Sequence, residues 1–411
     1  MNLPLVRSFR LFAELDPDLG WLGLVRVINA LGFALAMPFL GIYLHEEIGV
    51  SMIQIGLMLT AAGIVGSAAS TVGGALSDIT GRKRLVVYLM LARGLSFLLL
   101  AWLVWSRQPF GVFAAVFIIS AVLGNPIFAI TDAMVADVVA QERRNEAFGA
   151  MRVAVNLGWA LGPALGGLLV ASGYYLLFLA TAVTIGLSAV LIALKVRETA
   201  PNSSRSRKSG LELGAVMKDH RLLYFLAAAQ ILFLVQGQLV TPISVHASSN
   251  VGLSKSQVGS VYFLNGAMVV LLQLFVTRLV KRYHPLSALA AAGIIYAFGY
   301  WAVGLAGNYA GMLGATVLIT FGEMVGAPTA TAYVSMLAPE GKMGAYMGVF
   351  GLVVHLGWTV GPLMGGVLMD TMANPLQVWG VIAMVAVASA VAFIGLKIKT
   401  PPPSVGTASK D

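Results

Sequence analysis

Apolar residues run through this chain in blocks of eighteen or more, separated by short polar turns, too long and too evenly apolar for half-buried surface helices. The blocks predict membrane-spanning helices over 20–43, 52–77, 85–105, 110–136, 150–171, 174–195, 221–245, 256–280, 285–305, 311–337, 344–369 and 375–397. Ten-residue segments of strict alternation are absent, which argues against a membrane barrel. In lipid each backbone polar group must be satisfied within its own segment, and helices do that. The expected fold is an all-α membrane protein of twelve transmembrane helices in two pseudo-symmetric six-helix bundles.

Composition agrees. Of 411 residues 58% are hydrophobic and 10% charged, against about 25% charge in an ordinary soluble domain. With the helices in place, charge sets orientation. Twenty-one of the 26 Lys and Arg fall in segments of one side or at the helix ends that border them, and only Arg107 and Lys255 in those of the other. The remaining three, Arg26, Arg93 and Arg152, lie within helices or at their ends. By the positive-inside rule the rich side is cytoplasmic, with both termini on it, in the cytoplasmic (inner) membrane. The net charge of +9 then follows from topology and calls for no nucleic-acid partner. There is no cysteine, so disulfide and thiolate metal chemistry are excluded. The polar start, MNLPLVRSFRLFAELDPDLG, reads as a mature cytoplasmic end and not a signal peptide.

The longest polar interruption, 196–220, is rich in Ser, Arg and Lys and reads as a cytoplasmic linker between bundles at 1–195 and 221–397, with a cytoplasmic tail at 398–411. The halves repeat. GWALGPALGGLL at 158–169 returns as GWTVGPLMGGVL at 357–368, so that Gly158, Gly162, Pro163 and Gly166 map onto Gly357, Gly361, Pro362 and Gly365 with an offset of 199. Upstream, Pro126 and Pro328 correspond with an offset of 202. A duplicated six-helix unit with its substrate site between the halves is common among secondary transporters. Small residues four apart let helix backbones approach closely, and the prolines bend their helices and remove a donor. The two copies are expected to form a symmetric packing seam between the halves, along which they pivot.

GGALSDITGRKR, 73–84, lies in the turn between the second and third helices and places Asp78 four residues before Arg82. Here the chain resembles the major facilitator superfamily, whose motif A (G-x-L-x-D-x-x-G-R-[KR]-[KR]) is matched in order by Gly74, Leu76, Asp78, Gly81, Arg82, Lys83 and Arg84. The resemblance implies a latch on the inner gate of the outward-facing state. In it Asp78 meets the start of helix eleven, and Arg82 meets an acid at the cytoplasmic end of helix four, for which Asp137 is the candidate. The matching turn of the second half carries Thr277 in place of Asp78, so the latch is asymmetric. The doubled glycine phrase resembles the helix-five motif of the family's exporters. In one respect the chain departs from many drug/proton antiporters of the family: no Arg occurs in helix four, so proton coupling through that Arg is excluded.

Charges inside the membrane are costly and mark function. Asp132, Glu323 and His355 are the proton-coupling candidates, the histidine with a packing role as the alternative. Arg26, Asn29, Gln230, Gln236, Asn265 and Gln273 are the substrate-pocket candidates, and Gln238 belongs with them. Arg26 and Arg93 are potential counter-ions, although polar groups of this kind also serve helix–helix hydrogen bonds. The expected function is export of small amphipathic or cationic compounds by proton antiport with alternating access, by a monomer working with a small-molecule substrate, protons and membrane lipid. It needs no cofactor or metal beyond the proton gradient. An importer of a small nutrient, or a lipid or glycolipid flippase of the same fold, is the alternative. No nucleotide loop, zinc motif or nucleophile–base cluster supports an enzyme or an ATP-driven pump.

Overall fold

The computed structural model describes residues 17–140, 143–199, 218–339 and 342–399, and in them twelve helices are long and apolar enough to cross a membrane. They are α1 (Pro17–Ile42), α2 (Met52–Thr80), α3 (Arg82–Trp105), α4 (Phe110–Val138), α5 (Arg144–Leu169), α6 (Tyr175–Lys195), α7 (His220–Gln236), α8 (Lys255–Val280), α9 (Pro285–Leu305), α10 (Tyr309–Leu337), α11 (Met343–Thr371) and α12 (Pro375–Lys399). Two of them end in a wide π turn. α1 runs on into Tyr43–Glu47, and α7 continues through Gly237–Leu239 and Pro242–Val245 into His246–Asn250. The expected spans match closely. The largest difference is at α5, which starts at Arg144 because Glu146 in its first turn suits the positive helix end and carries the helix past its apolar block. The interval 200–217 of the expected linker, the stretch 1–16 and the tail from 400 lie outside the described residues.

α1 packs on α5 and α6, α2 on α4, and α3 on α4 and α6; in the second bundle α7 packs on α11 and α12, α9 on α10 and α12, and α8 on α10. The bundles meet along two helix pairs, α2 with α11 and α5 with α8.

The glycine phrase corrects one expectation. Gly158, Gly162 and Gly166 press on the α1 backbone between Val27 and Phe39, and Gly357, Gly361 and Gly365 press on α7 between Phe233 and Pro242. These residues tie helices together within each half. The contact between halves belongs to the second glycine of each pair: Gly167 meets the first turn of α8, and Gly366 meets Met52 and Ile53 of α2. Pro163 takes part through its carbonyl, which Gly259 approaches too closely for a Cβ. Period four revealed a close approach; it could not say to which partner, because one helix presents two glycine stripes.

The two pairs are not in contact along their whole length. On α2 and α11, Gly56 lies against Leu363, Thr60 donates to the Thr359 carbonyl (3.0 Å), and Gly63 faces Thr359 and His355. Four or eleven residues further along the same stripes, Gly74 of α2 and Gly344 and Gly351 of α11 meet nothing within 4 Å. α5 and α8 touch at Gly167–Gly259 and Ala160–Gly266, while Gly149 is open. The molecule is therefore sealed at the end where α2 and α8 begin. It is splayed at the end that carries Arg82 and the start of α7.

Candidate functional site

Each half carries one carboxylate deep in a helix, and their surroundings differ. In the first half Asp132 of α4 accepts an ion-paired hydrogen bond from Arg26 of α1, a side chain that is almost wholly buried. The Arg26 guanidinium also donates to the Phe128 carbonyl (3.2 Å) and lies over the Phe128 ring. Arg93 of α3 is buried nearby, over the rings of Phe33 and Phe97. Asn29 turns back to the Val25 carbonyl of its own helix (3.2 Å).

In the second half Glu323 stands at the midpoint of α10, about 21 Å from either helix end. Asn265 of α8 donates to its carboxylate (2.9 Å) and reaches the Thr320 hydroxyl (3.0 Å). Gln236 of α7, buried, approaches the same carboxylate, and Arg152 on α5 of the other half acts on it through space. Among the described residues no Lys, Arg or His forms an ion pair with it. Glu323, Asn265 and Gln236 thus converge from three helices, with Arg152 exposed across the interface.

The other pocket candidates are engaged elsewhere. Gln273 donates to Thr277 and to the Met324 carbonyl (both 3.0 Å). The Gln230 amide spans Val353 and Gly357, and Gln238 binds the Leu234 and Gly361 carbonyls, so both brace α7 against α11. His355 lies on the seam, 3.3 Å from the Gly63 carbonyl. Asn29, Gln230 and Gln273 each spend their amide on a backbone carbonyl. A buried amide needs partners, and bent glycine-rich helices offer carbonyls.

At the splayed end Arg82 pairs with Asp137 of α4 (2.7 Å) and reaches Asp78 (3.3 Å). Gly81 has a positive φ of 94°, and Glu198 after α6 accepts from the Arg82 and Lys83 backbone N–H groups (2.8 and 3.2 Å), capping α3 where a Cβ on Gly81 would intrude. Among the described residues Asp78 makes no contact with the start of α11, and its side chain is 62% exposed where the helices have parted.

Three contacts went unread in the sequence. Asp18, buried at the start of α1, pairs with Arg197 after α6 (2.8 Å). At the sealed end Glu46 pairs with Lys255 and accepts from Ser249 (2.7 Å). Asp370, at the end of α11, accepts from the first two N–H groups of α2. The available signal was a repeat, SMIQIG at 51–56 and SKSQVG at 254–259, that marks two equivalent helix starts.

A family model described as Major Facilitator Superfamily matches residues 22–362 and 226–411. A Na(+), Li(+), K(+)/H(+) antiporter of Planococcus maritimus is 26% identical over 80% of this chain and 84% of its own. Multidrug resistance protein 2 of Bacillus subtilis is 23% identical over 71% of this chain and 74% of its own. Among solved structures, nucleoside transporter NupG superposes with a TM-score of 0.78 at 12% identity, over 94% of this chain and all of that one, a likeness of fold.

Proposed function

This chain belongs to the major facilitator superfamily, a family of transporters and not enzymes, and from that premise we propose that it exports small cationic or amphipathic compounds in exchange for protons. One observation carries the reading: Glu323, midway along α10, is held by amide donors and has no ion-pair partner among the described residues, whereas Asp132 is neutralised by Arg26. A lone carboxylate in the membrane needs a positive partner, which a proton or a substrate cation supplies in turn. The multidrug relative and the cation/proton antiporter relative support the exchange of a cation for a proton.

In this reading the splayed end is cytoplasmic. Ionised Glu323 takes a cation from that side, the halves close over it and part at the sealed end, and a proton arriving from outside displaces the cation. The protonated carrier then returns and releases its proton inside. One proton exchanged for one monovalent cation moves no net charge, so this exchange draws on the pH gradient, at about 1.4 kcal/mol or ten-fold in substrate per pH unit. The Na(+), Li(+), K(+)/H(+) relative favours a second reading, in which the cation bound by the Glu323 carboxylate is inorganic. Both are tested in proteoliposomes with an imposed pH gradient. Lipophilic cations, Na⁺ and K⁺ are added in turn to the wild type and to Glu323→Gln. Dissipation by lipophilic cations, lost in the variant, upholds drug export. Dissipation by Na⁺ or K⁺ alone upholds the second reading, and no response to any cation overturns both.

A further inference from the structure

At the sealed end α2 begins with a capping box. The Ser51 hydroxyl accepts from Gln54 N–H (3.2 Å), the Gln54 side chain accepts from Ser51 N–H (3.3 Å), and the Ser51 carbonyl takes Ile55 N–H (3.1 Å). A helix start leaves four N–H groups without intrahelical partners, here those of Ser51, Met52, Ile53 and Gln54, and this box serves the first and the last. The two between them, on Met52 and Ile53, donate to Oδ1 and Oδ2 of Asp370 at 3.1 and 2.7 Å. Asp370 sits 318 residues away, on the last turn of α11 in the other bundle. One half of the molecule thus completes the helix cap of the other. The carboxylate faces the positive end of the helix dipole, and four residues earlier Gly366 lets the two backbones touch.

The equivalent start, α8, has the same box on Ser254 and Gln257. Its partner helix α5 carries Ala171 at the position matching Asp370 in the 199-residue repeat. There the cross-bundle charge contact runs through the side chain of Lys255 to Glu46. The two seams are therefore closed differently, one by a side-chain ion pair and one by a carboxylate on bare backbone. The second has a geometric counterpart at the splayed end: Asp78, the last acidic residue of α2, lies four residues beyond Gly74 on the stripe that faces α11 and stands exposed.

We propose that Asp370 is the positioning residue that holds this end shut, by capping α2 across the interface only while the far ends of α2 and α11 are apart. This rests on the proposed transport cycle only in that the two ends open in alternation. Opening the sealed end pulls Asp370 away and leaves two N–H groups bare, so the cap is lost and regained in each cycle.

The chain has no cysteine, which allows labelling without background replacement. Spin labels at Gln108→Cys and Gly307→Cys, in the α3–α4 and α9–α10 turns of the two halves at this end, report its opening by double electron–electron resonance. Asp370→Ala is expected to raise the ratio of open to sealed molecules at least ten-fold, and Asp370→Asn, which keeps one acceptor, by less. Met52→Pro removes one donor at a helix position that accepts proline, after a Ser51 already extended at ψ 151°. Its effect should be smaller than that of Asp370→Ala and add nothing to it in the double variant, because it removes one of the two hydrogen bonds that Asp370→Ala removes. Thr371→Ala, beside Asp370 but bonded within its own helix, serves as control. An unchanged distance distribution in folded Asp370→Ala, or an equal shift in the control, overturns the proposal. The proton-flux test of Glu323 is read on protein with native Asp370, so the two inferences fail separately.

Discussion

Asp132 and Glu323 are both membrane carboxylates, yet one is a finished structure and the other is an open valence. Asp132 lies six residues from the end of α4 and meets a buried guanidinium, as Coulomb's law and desolvation demand of a pair that stays. Glu323 lies at the centre of α10 and meets only amides, with one exposed arginine acting from across the interface. The contrast teaches that depth alone does not mark a coupling residue. The test is what already neutralises it.

The comparison breaks first at Glu323. Glu323→Gln is expected to lower cation-driven proton flux at least a hundred-fold, to the level of empty liposomes, while the protein stays folded. A comparable loss in Asp132→Asn with Glu323→Gln active would reverse the two assignments. Next in size is Arg26→Met, which removes the charged hydrogen bond to the half-exposed Asp132 and should cost about 1.5–3 kcal/mol of stability, read as a fall in the thermal midpoint in detergent. Adding Asp132→Leu should recover most of that loss, since an apolar pair replaces an ionic one, and proton flux should survive the double change. The smallest effect is expected from Asn265→Ala. Losing one hydrogen bond to a charged group is worth about 1.5–3 kcal/mol before solvent compensates, so apparent cation affinity should fall about ten-fold with the maximal rate nearly kept. A change in stability with no change in affinity would make Asn265 a packing residue only.

Much of this was legible in the chain. Helix limits followed from the apolar blocks, and Arg82 with Asp137 followed from the resemblance to motif A and not from spacing, since the two lie on different helices. The pairing of Arg26 with Asp132 was not legible: 106 residues separate them, and which face of α1 meets α4 depends on packing that neither segment records. Glu323 stood out as an acid in an apolar run, while its partners Asn265 and Gln236 could not be told from Gln230 and Gln238, which bind backbone instead. Lys255, Glu46 and Asp370 lay at helix ends, where charge is ordinary, and so carried no signal of a contact between halves.

The wide turns at the ends of α1 and α7 have a consequence of their own. Tyr43–Glu47 and His246–Asn250 lie 203 positions apart, and each closes with a bond five residues long, Ile48 N–H to the Tyr43 carbonyl and Val251 N–H to the His246 carbonyl. A π turn is an α-helix with one residue too many. That spare residue rotates the succeeding backbone by about 100°, and it is what aims Glu46 at Ser249 and Lys255. Chain length itself is therefore a determinant of closure here. Deleting a single residue within 43–47 should restore an ordinary helix and swing Glu46 a quarter-turn off its partners, a loss that no substitution at Lys255 would repair.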